Sequence, residues 1–279
     1  MLITLTILIK TIMDYWKNFW QNYRIIPINN KNDLLYQVGK TVHKKVIHED
    51  QFQILTQEIL DNLDVNKDDN VLDLCCGNGV ITYELSKYAN YVYGIDFSQP
   101  LIKNARKYKS NHNISYLCHD ARQLDQISTF LANKGVTKIL LYDAIGYLTT
   151  HEFVQLLLDV KKIAKPGFVM FIGGVFDKTA IWQFFNTPAR KINYFINIKI
   201  LGKTKAIGKW WPRNKIKTIC EHNHFHVEIQ DQNEKLYTAY YRFNMKLQEE
   251  RKNGHNGHKG QLKMPGYKLK TNKSPVEHK

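Results

Sequence analysis

From residue 71 to residue 172 the chain alternates short apolar runs with longer amphipathic stretches. Residues 71–74, 91–95, 114–118, 138–142 and 168–172 are brief and rich in aliphatic, β-branched and aromatic side chains, which predicts five strands. Between them, helical spacing of apolar residues predicts helices from 80 to about 88, 98 to 108, 124 to 132 and 150 to 164. Such alternation builds right-handed βαβ units and hence a parallel sheet with helices on both faces. A further helix is predicted over 49–63, with turns at Asp68-Asp69-Asn70 and Lys165-Pro166-Gly167.

The last third breaks the rhythm. Residues 178–213 are aromatic and basic and read as an insertion on the carboxyl edge of the sheet. A helix at 214–221 leads to strand-like runs at 225–229 and 236–243, separated by the polar turn Gln230-Asp231-Gln232-Asn233-Glu234. So short a connection makes an antiparallel hairpin. The fold class is therefore α/β: a doubly wound, mostly parallel sheet of about seven strands with a terminal antiparallel hairpin strand. At the other end Trp16, Phe19, Trp20 and Tyr23 fall on one face of a helix over 13–24, either as core packing or as a lid over a pocket. The expected division is an N-terminal extension at 1–47, a main domain at 48–250 and a basic disordered tail at 251–279.

Composition adds limits to this pattern. A hydrophobic fraction of 43% suits a globular core. The net charge of +15 suggests an anionic partner, but residues 251–279 contribute eight Lys or Arg against the single acid Glu277, so about half of the excess sits in the tail. Cys75, Cys76, Cys118 and Cys220 have no CxxC spacing, which argues against a disulfide framework or a zinc site and fits a cytoplasmic setting. The apolar opening at 1–9 is too short to span a bilayer and lacks signal-peptide features, and Met13 is read as the natural start.

The chemistry concentrates where strands end. Asp73-Leu74-Cys75-Cys76-Gly77-Asn78-Gly79 is a strand breaking into a tight turn whose glycines let backbone approach a ligand. Asp96 closes the second strand and Asp120 follows the third. In an open parallel sheet the ligand crevice lies beyond these carboxyl ends. An acid ending the second strand can accept both hydrogen bonds of a ribose diol, although Asp96 or Ser98 could equally cap the next helix. A dinucleotide would need a small residue at Thr82, so a cofactor without phosphates fits better. Gly39-Lys40-Thr41 has the ending of a phosphate-binding loop, but Leu34 occupies the first glycine position and no strand precedes it.

Together the glycine turn, Gly94-Ile95-Asp96-Phe97-Ser98, Asp120-Ala121, the Lys165-Pro166-Gly167 turn and the closing hairpin resemble the class I S-adenosylmethionine-dependent methyltransferases, over about residues 48–246. The resemblance implies S-adenosyl-L-methionine as cofactor. It implies a binding set of Asp73, Cys75, Gly77, Asn78, Gly79, Asp96, Phe97, Ser98, Asp120, Ala121 and Tyr142. Gly77, Asn78 and Gly79 would pass under the methionine part, Asp96 would take the ribose hydroxyls, Phe97 would lie against adenine, and Asp120 with Ala121 would contact its amine and ring. Cys75 departs from the pattern, which more often has glycine there.

Candidate bases or acceptor-orienting groups are Asp143, Tyr147 and His151 past the fourth strand, with Tyr240 or Tyr241 on the hairpin. The alternating His222, His224 and His226 invite a metal reading, but the residues supply no evident partner set and no metal is expected. The expected acceptor is a small organic molecule enclosed by the aromatic face near residues 15–23 and the insertion. Charge motivates a nucleic-acid acceptor as the alternative. It is disfavoured because Asp143-Ala144-Ile145-Gly146 stands where adenine-amine enzymes usually carry Asn/Asp-Pro-Pro-aromatic. A non-catalytic cofactor-binding homologue is the third reading.

Overall fold

A computed structural model describes residues 15–196 and 208–250. The expectations for Met13 and for the tail at 251–279 lie outside the described residues, as does the middle of the insertion. Helix α1 covers residues 15–22 and α2 Lys31–Gln37; β1 (Thr41–Val42) and β2 (Lys45–Val46) form a short antiparallel hairpin before α3 (Glu49–Leu63). The alternating region gives β3 (Asn70–Leu74), α4 (Val80–Ser86), β4 (Tyr91–Asp96), α5 (Gln99–Tyr108) and β5 (Ile114–Cys118). A 3-10 segment, Ala121–Ile127, then leads into α6 (Ser128–Ala132), β6 (Val136–Tyr142), α7 (Thr150–Ile163) and β7 (Ala164–Phe176). The remainder is α8 (Ile181–Phe184), α9 (Pro188–Tyr194), α10 (Arg213–His222), β8 (Phe225–Asp231) and β9 (Arg242–Glu249).

Seven strands pair in the order β5-β4-β3-β6-β7-β9-β8. Strands β3 to β7 run parallel, and β9 runs antiparallel to both of its neighbours. The reversed strand expected from the hairpin is therefore present, lying between β7 and the edge strand β8. The strand period of two divides the core. Leu72, Leu74, Ile139 and Leu141 turn to the face covered by α7, with Phe153, Leu156 and Val160. Val71, Val92, Leu140 and Phe171 turn to the face covered by α3, with Leu55, Ile59 and Leu63. Each such side chain removed from water contributes about 1.5–3 kcal/mol.

Three departures from the sequence reading have local causes. Of the strand-like residues 236–243, 236–241 fold instead into successive turns, with Leu236, Ala239 and Tyr241 donating backbone N–H to the carbonyls of Asn233, Leu236 and Thr238. Gln51 of α3 fastens them, donating to the Lys235 carbonyl and accepting from the Tyr237 N–H, both at 2.9 Å. The strand proper starts at Arg242. Lys165-Pro166-Gly167 is an exposed bulge inside β7, where the register with β6 shifts, and not a turn before it. Helix α2 is not among the elements expected above, and its start is fixed by a reciprocal capping box between Asn30 and Asp33. Its Leu34 and Leu35 join Ile47, Phe52 and Val80 in one buried cluster, which fixes the segment before α3 against the main sheet's first helix.

Candidate active site

The turn after β3 is built from left-handed residues. Cys75, Gly77 and Gly79 have φ of 59°, 58° and 78°. A Cβ at Gly79 would overlap the Tyr116 hydroxyl, and one at Gly77 would sit 3.0 Å from Val38 Cγ1. Cys75 holds the same backbone class without glycine's freedom, a strain of about 1–2 kcal/mol. Behind the turn, Asp73 accepts the Thr82 hydroxyl at 2.6 Å. Burial pushes its carboxyl up to about 7. Asn78 donates to the Leu34 carbonyl at 2.8 Å and to Gln37 Oε1 at 2.9 Å, fastening α2 to the turn.

In front of the turn lies a chamber of about 950 Å³, partly open, at the carboxyl ends of β3 to β6. Of the expected residues it gathers Cys75, Gly77, Asp96, Phe97, Asp120, Ala121, Tyr142, Asp143 and Tyr147. Asp73, Asn78, Gly79 and Ser98 do not line it and act from behind. Trp16, Lys17 and Trp20 of α1 close one side, with Ile81 and Leu101 supplying further apolar wall.

Asp96 is buried, with Oδ2 accepting the Gly77 N–H at 3.0 Å and Oδ1 the Ser98 N–H at 2.8 Å. Burial raises its carboxyl to about 6 despite those two bonds. The Ser98 hydroxyl does not cap α5; it donates to the Trp20 carbonyl at 3.2 Å and so anchors α1 over the crevice. Asp120 is already engaged by Arg122, with Nη2 at 2.6 Å and Nε at 2.9 Å. Burial alone would raise Asp120, but Arg122 carries it below the usual carboxylate value. Burial, reinforced by Asp96, Asp120 and Asp73, pushes the Cys75 thiol well up, so it stays protonated.

Asp143 is not placed as a base. One oxygen takes Lys40 Nζ at 2.6 Å and the other takes the Arg242 guanidinium. Burial opposes ionisation, yet Arg242 and Lys40 hold its carboxyl below the usual value, so it has little basicity. Tyr147 lines the chamber between Trp16 and Trp20, with ring centroids 4.5 and 5.7 Å away. Burial and Asp143 raise its phenol, so it remains neutral. His151 is exposed on α7 and lines neither chamber. His222, His224 and His226 are exposed, and among the described residues no cluster of His, Cys, Asp and Glu could hold a metal.

Sequence reasoning missed Lys40, Arg122 and Arg242. The Gly39-Lys40-Thr41 signal was visible, but only as an incomplete phosphate loop. Lys40 is 4% exposed and reaches the site because the end of α2 is fastened to the turn, Asn78 bonding Leu34 and Gln37 and Val38 lying beside Gly77. Arg242 is the first residue of β9 and was hidden by the misplaced strand.

A second cavity of about 650 Å³ adjoins the first across Trp20, Val38, Asp143 and Tyr147. Phe19 of α1, Tyr23 just past it, Gly39, Phe176 of β7, Phe184 of α8, Tyr241 and Arg242 complete it. The aromatic face of α1 thus serves both chambers, and the insertion contributes to the second.

Residues 71–167 match the family described as a methyltransferase domain. Among curated proteins, the chain is 36% identical over 140 residues to a 23S rRNA uracil-C5 methyltransferase of Histophilus somni, covering 42% of this chain and 31% of that protein. It is 25% identical over 167 residues to the ribosomal RNA small subunit methyltransferase A of Clostridium botulinum, covering 58% of this chain and 59% of that one. The chain therefore spans less than two thirds of these relatives' length. Among solved structures, a methyltransferase of Anabaena variabilis superposes with TM-score 0.56 at 17% identity, over 85% of this chain and 95% of that one. A magnesium protoporphyrin IX methyltransferase of Synechocystis, with S-adenosylhomocysteine bound, gives TM-score 0.54 at 15% identity, over 86% and 98%. These likenesses show the fold. Among the described residues no helix is long and apolar enough to cross a membrane.

Proposed function

We propose that the chain is a class I S-adenosylmethionine-dependent methyltransferase and that it moves the methyl group to a small organic molecule. The supporting observation is the second, aromatic cavity, which shares a wall with the chamber beside the glycine turn. A pocket walled by aromatic rings with a few placed polar groups, here Asp143, Tyr147 and Arg242, is what a small ligand requires.

The cofactor would lie in the first chamber, and the turn is consistent with it: Gly77 presents bare backbone to that chamber, where a Cβ would crowd Val38 on the same wall. We assign the ribose hydroxyls to Asp96, the adenine to Phe97 and Ala121 with Asp120 nearby, and the methionine part to the Cys75–Gly77 backbone. Asp73, Asn78, Gly79 and Ser98 hold those residues in place. When bound, S-adenosylmethionine supplies an activated methyl on a sulfonium, so the protein's work is alignment and exclusion of water. Trp20 and Tyr147 line both cavities.

In this reading 1–47 is an N-terminal extension whose described part, from residue 15, caps the site, 48–250 is the catalytic domain with its 178–213 insertion, and 251–279 is a basic tail. Four free cysteines support a cytoplasmic setting. A second reading, methylation of RNA, is favoured by the net charge of +15 and by the names of the curated relatives. A labelled-methyl assay against a cell extract separates the two. Label in a small compound supports the first, and label confined to RNA would overturn it.

A further inference from the structure

The wall between the two cavities carries more positive than negative charge. Asp143 is one carboxylate shared between two cations, Lys40 and Arg242. Arg242 Nε is buried with no hydrogen-bond partner among the described residues. The guanidinium also lies against the rings of Phe176 and Tyr241, 4.8 and 5.1 Å from their centroids. Neither ring supplies a counter-charge, because burial raises the Tyr241 phenol and keeps it neutral. A cation set among aromatic rings with half a counter-ion is costly unless an anion completes it.

Among the described residues lining the same region none is an available proton acceptor. Asp143 is held ionised by its two cations and is poorly basic. Tyr147 and Tyr241 are neutral phenols. His151 is on the surface. An acceptor bound here must therefore arrive without a proton to lose. An amine would meet that need only in its neutral form, and its ammonium form would be repelled by Arg242.

We propose that the second cavity takes an aryl oxyanion, a flat aromatic ring among Phe19, Tyr23, Phe176 and Tyr241 with a carboxylate or phenolate oxygen on Arg242. The inference rests on the methyl-transfer reading. In the transfer a bond forms from the oxyanion to the methyl carbon as the carbon–sulfur bond breaks. The negative oxygen becomes a neutral ester or ether and the sulfonium a neutral thioether, with no proton moved.

The test uses the full chain and three matched probes: naphthoate, naphthol and the neutral naphthamide, titrated calorimetrically with S-adenosylhomocysteine present. Naphthoate or naphthol should bind at least about tenfold more tightly than naphthamide. Bound naphthol should show the red-shifted absorption of naphtholate at neutral pH, which separates the phenolate from the carboxylate source. Arg242→Met should weaken oxyanion binding by about 30-fold or more while leaving naphthamide and S-adenosylmethionine affinities nearly unchanged; Arg242→Lys should recover part of the loss. Naphthamide binding as tightly as the oxyanions, or an unchanged oxyanion affinity in Arg242→Met, overturns the proposal. If the Met variant fails to fold, the wild-type comparison and Arg242→Lys decide alone. Failure of wild type to bind S-adenosylmethionine would instead defeat the methyl-transfer reading itself.

Discussion

Asp96 gives the most demanding test of the cofactor assignment, because the structure fixes both its partners and its protonation. Burial raises its carboxyl to about 6, against the two N–H bonds from Ser98 and Gly77 that favour the ionised form. A ribose diol donates two hydrogen bonds and needs the carboxylate. Affinity for S-adenosylmethionine should thus be nearly level above pH 7 and fall as pH drops through 6, being about tenfold weaker at pH 5. Asp96→Asn should be weaker at neutral pH and lose this slope. The substitution turns charge-assisted bonds into neutral ones and makes one acceptor a donor, a loss of roughly 2–3 kcal/mol, or about 30- to 150-fold in affinity. Isothermal titration of wild type and variant between pH 5 and 8 measures both effects. A wild-type dissociation constant that stays flat across that range would refute the assignment. So would a variant that keeps the same slope, since the titrating group would then be another.

Four further outcomes follow from the site's geometry. Asp143→Asn strands Lys40 and Arg242 beside a neutral amide and should lower stability by about 3 kcal/mol in urea unfolding. Its wild-type contribution, set by a depressed carboxyl, is present above the unfolded value and lost only as pH falls below it. Asp73 has the opposite sign: its carboxyl is raised from 3.8 to about 7, so the native state binds the extra proton and stability declines from about pH 4 to 7. Asp73→Asn should flatten that decline, read as melting temperature against pH. Cys75→Gly relieves a left-handed residue at φ 59° and should stabilise by up to about 1 kcal/mol after the cost of glycine's looser unfolded chain, checked by chemical denaturation. His151→Ala should leave methyl transfer unchanged, since the side chain is exposed and lines neither cavity.

Sequence by itself determined the parallel half of the sheet. Runs such as Val71–Leu74 and Ile139–Tyr142 are buried on both faces, and such strands show as short, largely apolar segments wherever the chain goes next. It determined the glycine turn too, because Gly77 and Gly79 occupy a backbone region that bulkier residues resist. Asp96 and Asp120 were legible as acids at strand ends for the same reason, their place following from β4 and β5.

Tertiary structure alone decided the charge at the heart of the site. Lys40 and Arg242 lie 103 and 99 residues from Asp143 in sequence and meet it only because β9 pairs with β7, next to β6, and the segment after α2 packs against the glycine turn. No local pattern marks such a meeting, and near Arg242 the local pattern misled. Residues 236–241 have strand-forming side chains, but Gln51 of α3 holds their backbone in turns, and contacts of that kind outweigh a propensity worth about 1 kcal/mol. His151 failed as a site residue through the same limit. Position in sequence put it near the fourth strand, while the helical phase of α7 turned it to solvent. Periodicity fixes which face of an element is apolar; which charges converge is fixed by how distant elements pack.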